Sequence, residues 1–466
     1  MVRIAIIIGP HTSFRNASFH LAHCLMQAGH DVIIASDTDF TDEAQRDALS
    51  FVRLSVEPDA QTASTVGGEG MVTKALKYPQ RILSYQQRRE SAVAVKVEKQ
   101  VRLDTFVDTH QPDVMLVDVE EHDYIIAAWA SGFQFAMLSN LIGIHSVPEV
   151  PPTHTAIIPG QGVDGRSAVI DRAWVKYRAW KWLWFARDWL LNAGLGQMQQ
   201  LRAFADEVGF PQDEFLPYHW LLPTTYRTIP VLTMFAQEFD FPHEPYPSVT
   251  YSGPMLNVSN RRVDQPASEE LAALLEKHTM GSEDRTLVYC TFGTFIRQND
   301  VAFLARLIEA FRELPDVDVI FGMGRRHNVD DIHRALGAEP TENVYIHDWV
   351  PQLRVLELAD CAIIHGGTST VNECIHFEVP MLLYPLGLDQ PGNAARVVYH
   401  GMGIMGNRSS DIPAQIRGHV ESLLSDDTYR RALKRMNESI ASAGCSPAVE
   451  FIEQLSSNED ARKKHI

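Results

Sequence analysis

The sequence predicts an α/β protein built from two doubly wound parallel-sheet domains, and three observations carry that prediction. First, short apolar runs recur at Ile4–Ile8, Val32–Ala35, Val114–Val117, Leu287–Tyr289, Val317–Phe321 and Cys361–Ile364. Each is followed by a turn bearing Gly or Ser and then by an amphipathic stretch, the rhythm of β-α units on parallel sheets. Second, the rhythm breaks from about Pro242 to Asp284, a stretch rich in Pro, Ser and Asn. Third, it restarts at RTLVYCTFGTF. The expected division is a first domain over 1–245, a linker over 246–284, a second domain over 285–430, and closing helices with a polar tail over 431–466.

Bulk properties agree. A chain of 466 residues, 45% hydrophobic and 21% charged, is long enough for two or three filled cores and is composed like a globular protein. The formal net charge of −18 excludes a nucleic-acid binder, which needs Lys and Arg against phosphates. An anionic small ligand would have to be met by local positive ends such as helix N-termini. The cysteines Cys24, Cys290, Cys361, Cys374 and Cys445 are odd in number, widely spaced and without C-x-x-C, which reads as free buried thiols in a cytoplasmic protein and not as a zinc site. The opening VRIAIIIGP reads as a first buried strand and not as a signal segment. No run of 18 residues is apolar and uncharged, so no membrane span is expected.

Ala173–Leu191 stands apart, with five tryptophans and interleaved Lys176, Arg178, Lys181 and Arg187. Such a helix can lie on a membrane surface as a peripheral contact or roof a greasy pocket. It can equally be an aromatic core or interdomain helix with snorkelling cations.

The chemistry concentrates between Trp349 and Gln390. The strand CAII runs into His365-Gly366-Gly367-Thr368-Ser369-Thr370 and then a helix. A Gly-rich strand-to-helix turn lets backbone N–H groups approach a phosphate at the positive end of the helix. Thr370 and His365 can add side-chain donors, and Glu373, on the first turn, can accept from ribose hydroxyls. Trp349 offers a flat face for a base. Asp389 and Gln390 carry groups suited to sugar hydroxyls. Each piece alone is weak; their order and spacing make the case.

This segment resembles the signature box of the family 1 UDP-glycosyltransferases, whose fold, GT-B, sets two Rossmann-like domains across a central cleft. Trp349, Pro351 and Gln352 match the start of the box, His365, Gly367, Thr370 and Glu373 its middle, and Asp389-Gln390 its end. Between Gln352 and His365 the chain is two residues shorter than the plant box. Thr291-Phe292-Gly293-Thr294 resembles the turn that faces the donor phosphates. The resemblance implies that Trp349 stacks on the base, that Gln352 and Glu373 meet the ribose, and that His365, Gly367 and Thr370 hold the diphosphate, with Thr294 facing the donor phosphates and Val350 and Ser369 also among the donor-binding residues. It gives the sugar to Asp389 and Gln390. No metal or other cofactor is implied, the UDP-sugar being a co-substrate, and no Asp-x-Asp motif is placed to hold a diphosphate.

The same resemblance implies a catalytic histidine at position 14, by counting from Pro10 and from His30. That position is Phe14. Its usual partner carboxylate is Asp118, at the end of HQPDVMLVDVE. Candidate replacements are His11, on the same turn, and Asp118 itself. Phe14, Phe133 and Trp184 are expected in an acceptor pocket of the first domain. The expected activity is inverting transfer of a hexosyl group, glucose foremost, from a UDP-sugar to a small lipophilic phenolic, polyketide or terpenoid acceptor. The rivals are a nucleotide-sugar epimerase and a non-catalytic helper of a partner transferase, the latter suggested by Phe14.

Overall fold

The computed structural model describes residues 1–55, 78–163, 165–216, 223–256, 258, 268–281, 285–292, 301–324 and 342–457. Two parallel sheets form the frame. The first contains β1 (Arg3–Ile7), β2 (Asp31–Ser36), β3 (Ser50–Arg53), β4 (Val114–Asp118), β5 (Phe135–Ser139), β6 (Val231–Thr233) and β7 (Val249–Tyr251), in the spatial order 3-2-1-4-5-6-7. The second contains β8 (Thr286–Thr291), β9 (Val317–Gly322), β10 (Val344–His347), β11 (Cys361–Ile364), β12 (Met381–Leu383) and β13 (Gly403–Met405), ordered 10-9-8-11-12-13. In both, strand order reverses beside the first strand, the switch point where doubly wound folds bind ligands.

The strands read as continuous apolar runs because both of their faces are covered. In β1, Ala5 and Ile7 join one core with Leu103, Phe106 and Ile125. Ile4 and Ile6 join another with Phe19 and Leu21 from the helix Thr12–Gln27. That second core also holds Ala448 and Ile452 of the last helix, Ser446–Ser457. The chain therefore leaves the second domain and finishes on the first. The strand Val249–Tyr251 pairs with β6 in the first sheet, so that sheet draws its last strand from the segment read in sequence as linker.

One expectation is corrected here. Cys24 and Cys445 are joined as a disulfide with Cα atoms 5.8 Å apart, while Cys290, Cys361 and Cys374 are free and buried. The crossing-back of the last helix brings together two cysteines 421 residues apart in sequence, a pairing no local spacing reveals. Among the described residues, no helix is long and apolar enough to cross a membrane.

The domains are also joined by a buried ion pair. Arg396 lies on the helix Gln390–Tyr399 of the second domain, and its Nε donates to Asp240 Oδ1 at 2.8 Å. Both side chains are almost without exposure. The guanidinium lies 4.5 Å from the centre of the Phe241 ring, and Tyr251 donates to the second carboxylate oxygen of Asp240 at 3.1 Å.

Candidate active site

The second domain places the glycine turn at the end of a strand and the start of a helix. β11 ends at Ile364, and the helix Thr368–His376 begins after His365-Gly366-Gly367. Gly366 has φ +86°, a conformation that costs glycine nothing. Gly367 is glycine for a second reason: a Cβ there would lie 2.5 Å from His365 Nε2. The helix carries no acidic residue in its first turn, Glu373 falling on the second and not the first as expected, so its N-terminal N–H groups keep their positive end for an anion.

Side chains brace this turn. Asn393 Nδ2 donates to Gly366 O and to Asp389 Oδ2, both at 3.0 Å. Thr368 Oγ1 donates to the same Asp389 oxygen at 3.0 Å. Gln390 Oε1 accepts the N–H groups of Leu386 and Gly387, holding the loop that presents Asp389. Burial raises the Asp389 carboxyl above its ordinary range, partly offset by the Thr368 and Asn393 hydrogen bonds. Glu373 is fully buried and accepts from Gln352 Nε2. Gln352 Oε1 in turn accepts from Tyr289 at 3.1 Å. The two residues assigned to the ribose are thus already one hydrogen-bonded unit.

The other expected donor residues fall around this turn. Trp349 is half-buried on the turn after β10. Val350 turns its side chain into the core, near Gly322, leaving its backbone to meet a ligand. Thr370 is buried on the helix. Ser369 and Glu373 line a narrow cleft between the domains, opposite Ser13, Asn16 and Asn140 of the first domain. Thr294 lies outside the described residues.

In the first domain Asp118 ends β4 and is fully buried. Its oxygens accept the N–H groups of Gly9 at 3.1 Å and Glu120 at 3.0 Å. A Cβ on Gly9 would lie 2.9 Å from the carboxylate, which is why the chain has glycine there. Burial raises this carboxyl well above its usual range. Asp118 therefore braces the β1 turn through both carboxylate oxygens. His11 is largely exposed just before the Thr12 helix, and its Nε2 lies 3.1 Å from Glu120 Oε2. The hydrogen bond with Glu120 raises the imidazole pKa, against partial burial. Glu120, which the sequence did not single out, is the partner of His11.

The expected acceptor trio is not assembled. Phe14 is buried in the core between its helix and the first sheet, because positions 14, 18, 21 and 25 form the inward face while Ser13 and Asn16 face the cleft. Phe133 lies between the helix His122–Ala130 and the start of β5, at the N-terminal edge of the strands and far from the ligand-binding edge. Trp184 packs against Phe185 on the tryptophan helix, 5.5 Å from the Lys181 ammonium. The structure offers instead a small cavity under the loop after β5, lined by Ile142, His145, His243, Tyr246 and Tyr251, with His145 stacked on Tyr246 at 4.1 Å.

These features combine in a known framework. Residues 316–456 match the model of the erythromycin biosynthesis protein CIII-like C-terminal domain. A UDP-glucosyltransferase of Bacillus subtilis is 31% identical over 174 residues, which is 37% of this chain and 42% of that protein. The second half of the chain is thus similar to nucleotide-sugar glycosyltransferases. The zeaxanthin glucosyltransferase of Pantoea ananas is 22% identical over 348 residues, covering 74% of this chain and 72% of that one. Among solved structures, the spinosyn forosaminyltransferase superposes with a TM-score of 0.63 at 17% identity over 98% of this chain and 100% of that one. The kitacinnamycin glycosyltransferase does so with a TM-score of 0.60 at 20% identity, over 97% and 99%. The chain therefore has the GT-B fold.

Acid should weaken the folded state. His20, His122, His145 and His365 are each pushed down to about 4 by burial. Unfolded, they protonate near 6.5, so between about 6.5 and 4 these four groups bind more protons in the unfolded chain and their contribution to stability falls as pH falls; they outnumber the buried carboxyls of Asp118, Glu121 and Asp389, whose raised pKa acts in the opposite direction. Chemical denaturation at pH 7 and pH 5 should show a lower midpoint at pH 5; equal midpoints would contradict the buried, neutral assignment.

Proposed function

We propose that this glycosyltransferase moves a hexosyl group, glucose foremost, from a UDP-sugar to a hydroxyl of a small lipophilic acceptor, with inversion. The observation that carries the reading is the glycine turn braced by Asn393 and Asp389, opening on the interdomain cleft beside the Gln352–Glu373 pair. The acceptor O–H gives its proton to His11 while its oxygen forms a bond to the anomeric carbon. The bond from that carbon to the diphosphate oxygen breaks, and UDP leaves carrying the negative charge. The helix N–H groups and Thr370 are preorganised donors for that charge. Burial keeps His365 neutral down to about pH 4, with its ring hydrogen-bonded to the Thr291 backbone, so it shapes the turn as an uncharged imidazole and not as a cation. No step requires a divalent ion.

Glu120 takes the orienting role, holding the His11 ring and stabilising the imidazolium that forms. The acceptor is expected against Asn16, Asn140 and the cavity around His145 and Tyr246. The functional test is incubation with UDP-glucose and a panel of phenolic, polyketide and terpenoid aglycones, with products read by mass and anomeric configuration. An inverted glycoside supports transfer. A released sugar epimer, or product only after a partner protein is added, would replace this reading.

The base assignment has its own signature. A base must be neutral to act, and Glu120 raises the His11 pKa above 6.5, so the acid limb of kcat/KM should turn over above pH 6.5. Glu120→Gln should move that limb toward lower pH. An unmoved limb would remove His11 from the proton transfer.

A further inference from the structure

The helix Ser167–Leu191 has 25 residues, about 37 Å long at 1.5 Å per residue. It is apolar around much of its circumference, yet only Ile170, Trp174, Tyr177 and Lys181 are buried. A helix that is apolar all round is normally covered all round. Here Val175, Trp182, Leu183, Trp189 and Leu190 stand outward, with Trp182 57% and Leu183 59% exposed. Their spacing of seven, with near neighbours, sets them on one stripe opposite the buried one. Trp180, 52% exposed, stands at its margin.

Charge says what such a stripe would meet. Arg172, Lys176, Arg178 and Arg187 are exposed along it, and Asp171 is the exposed acid of the same helix. This basic strip belongs to a chain of net charge −18. Charges beyond about 8 Å are screened at physiological salt, so the local cations, and not the global charge, decide what this surface attracts. Bulky aromatics and leucines flanked by Lys and Arg suit a helix lying at a lipid headgroup boundary, where the rings enter the acyl edge and the cations meet phosphates.

We propose that this helix docks the protein on an anionic phospholipid surface. The helix is firmly seated, as docking requires: Trp174 Nε1 donates to Val150 O at 2.8 Å, and Tyr177 packs on His154 at 4.6 Å. The loop beneath reaches the donor site, since Gly392 N donates to Thr153 O at 2.7 Å, two residues after Gln390. A membrane under the helix would thus lie one loop away from the transfer site.

The test is flotation with vesicles of phosphatidylcholine alone and with phosphatidylglycerol, together with tryptophan quenching by brominated acyl chains. The protein should float with anionic vesicles, with emission shifted to the blue and quenched. Trp182→Ser/Trp189→Ser/Leu190→Ser should lower the apparent affinity by more than about tenfold. Arg178→Glu/Arg187→Glu should abolish the preference for anionic lipid. UDP titration of both variants checks folding separately from docking. Absence of flotation by the wild type, or undiminished flotation of the triple variant, would overturn the proposal. So would a wild-type dimer that the triple variant abolishes, with no vesicle binding, which would assign the stripe to a second copy.

Discussion

Gly367→Ala is expected to weaken binding of UDP roughly 100-fold, about 3 kcal/mol, at the scale of overpacking a tight site. The added Cβ would sit 2.5 Å from His365 Nε2, and the ring is buried. It would have to swing into the space meant for the diphosphate or push the helix start outward. Either movement misaligns the N–H groups that are the main anion ligands. Gly418→Ala is the control, because a Cβ there meets nothing within 4 Å and alanine favours a helix; UDP affinity should not change. Equal affinity in both variants would mean that the glycine turn does not hold the nucleotide.

Arg396→Met is expected to destabilise the protein by about 3–5 kcal/mol, because it leaves Asp240 buried without its cation. The carboxylate keeps Tyr251 and the Phe241 N–H as donors, which soften the loss without neutralising the charge. At about 2–4 °C per kcal/mol for domains of this size, the melting temperature should fall by roughly 10 °C. Replacing both partners, Arg396→Met with Asp240→Leu, should recover much of that loss, since an apolar pair leaves no stranded charge. Because the pair ties the helix that begins with Gln390 to the first domain, the single variant should also weaken UDP binding. A melting temperature unchanged by Arg396→Met would show that the pair does not join the domains in solution.

What could be read from the sequence follows from range. Strands buried on both faces leave continuous apolar runs, so β1, β4, β8 and β11 were visible, as was the glycine turn after Ile364. The expected donor residues, Thr294 apart, lie within one stretch of forty-odd positions, where spacing is informative. Phe14 follows the helical period of the inward face, through Ser18, Leu21 and Leu25, a local signal that sets it in the core and not at the cleft. Asp118 is the carboxylate at a strand end and accepts two backbone amides, while the carboxylate in contact with His11 is Glu120, two residues on. The Asp240–Arg396 pair spans 156 positions and the Cys24–Cys445 link 421, and only the folded topology brings either together. An arginine in the apolar run AARVVY was the one local hint of the former.

The central claim is that the braced glycine turn binds a nucleoside diphosphate. Titration calorimetry of the wild type with UDP, repeated with Gly367→Ala, tests it most directly. The expected result is saturable one-site binding that the substitution weakens roughly 100-fold. No heat of binding with UDP or UDP-glucose, in protein shown to be folded, would contradict it.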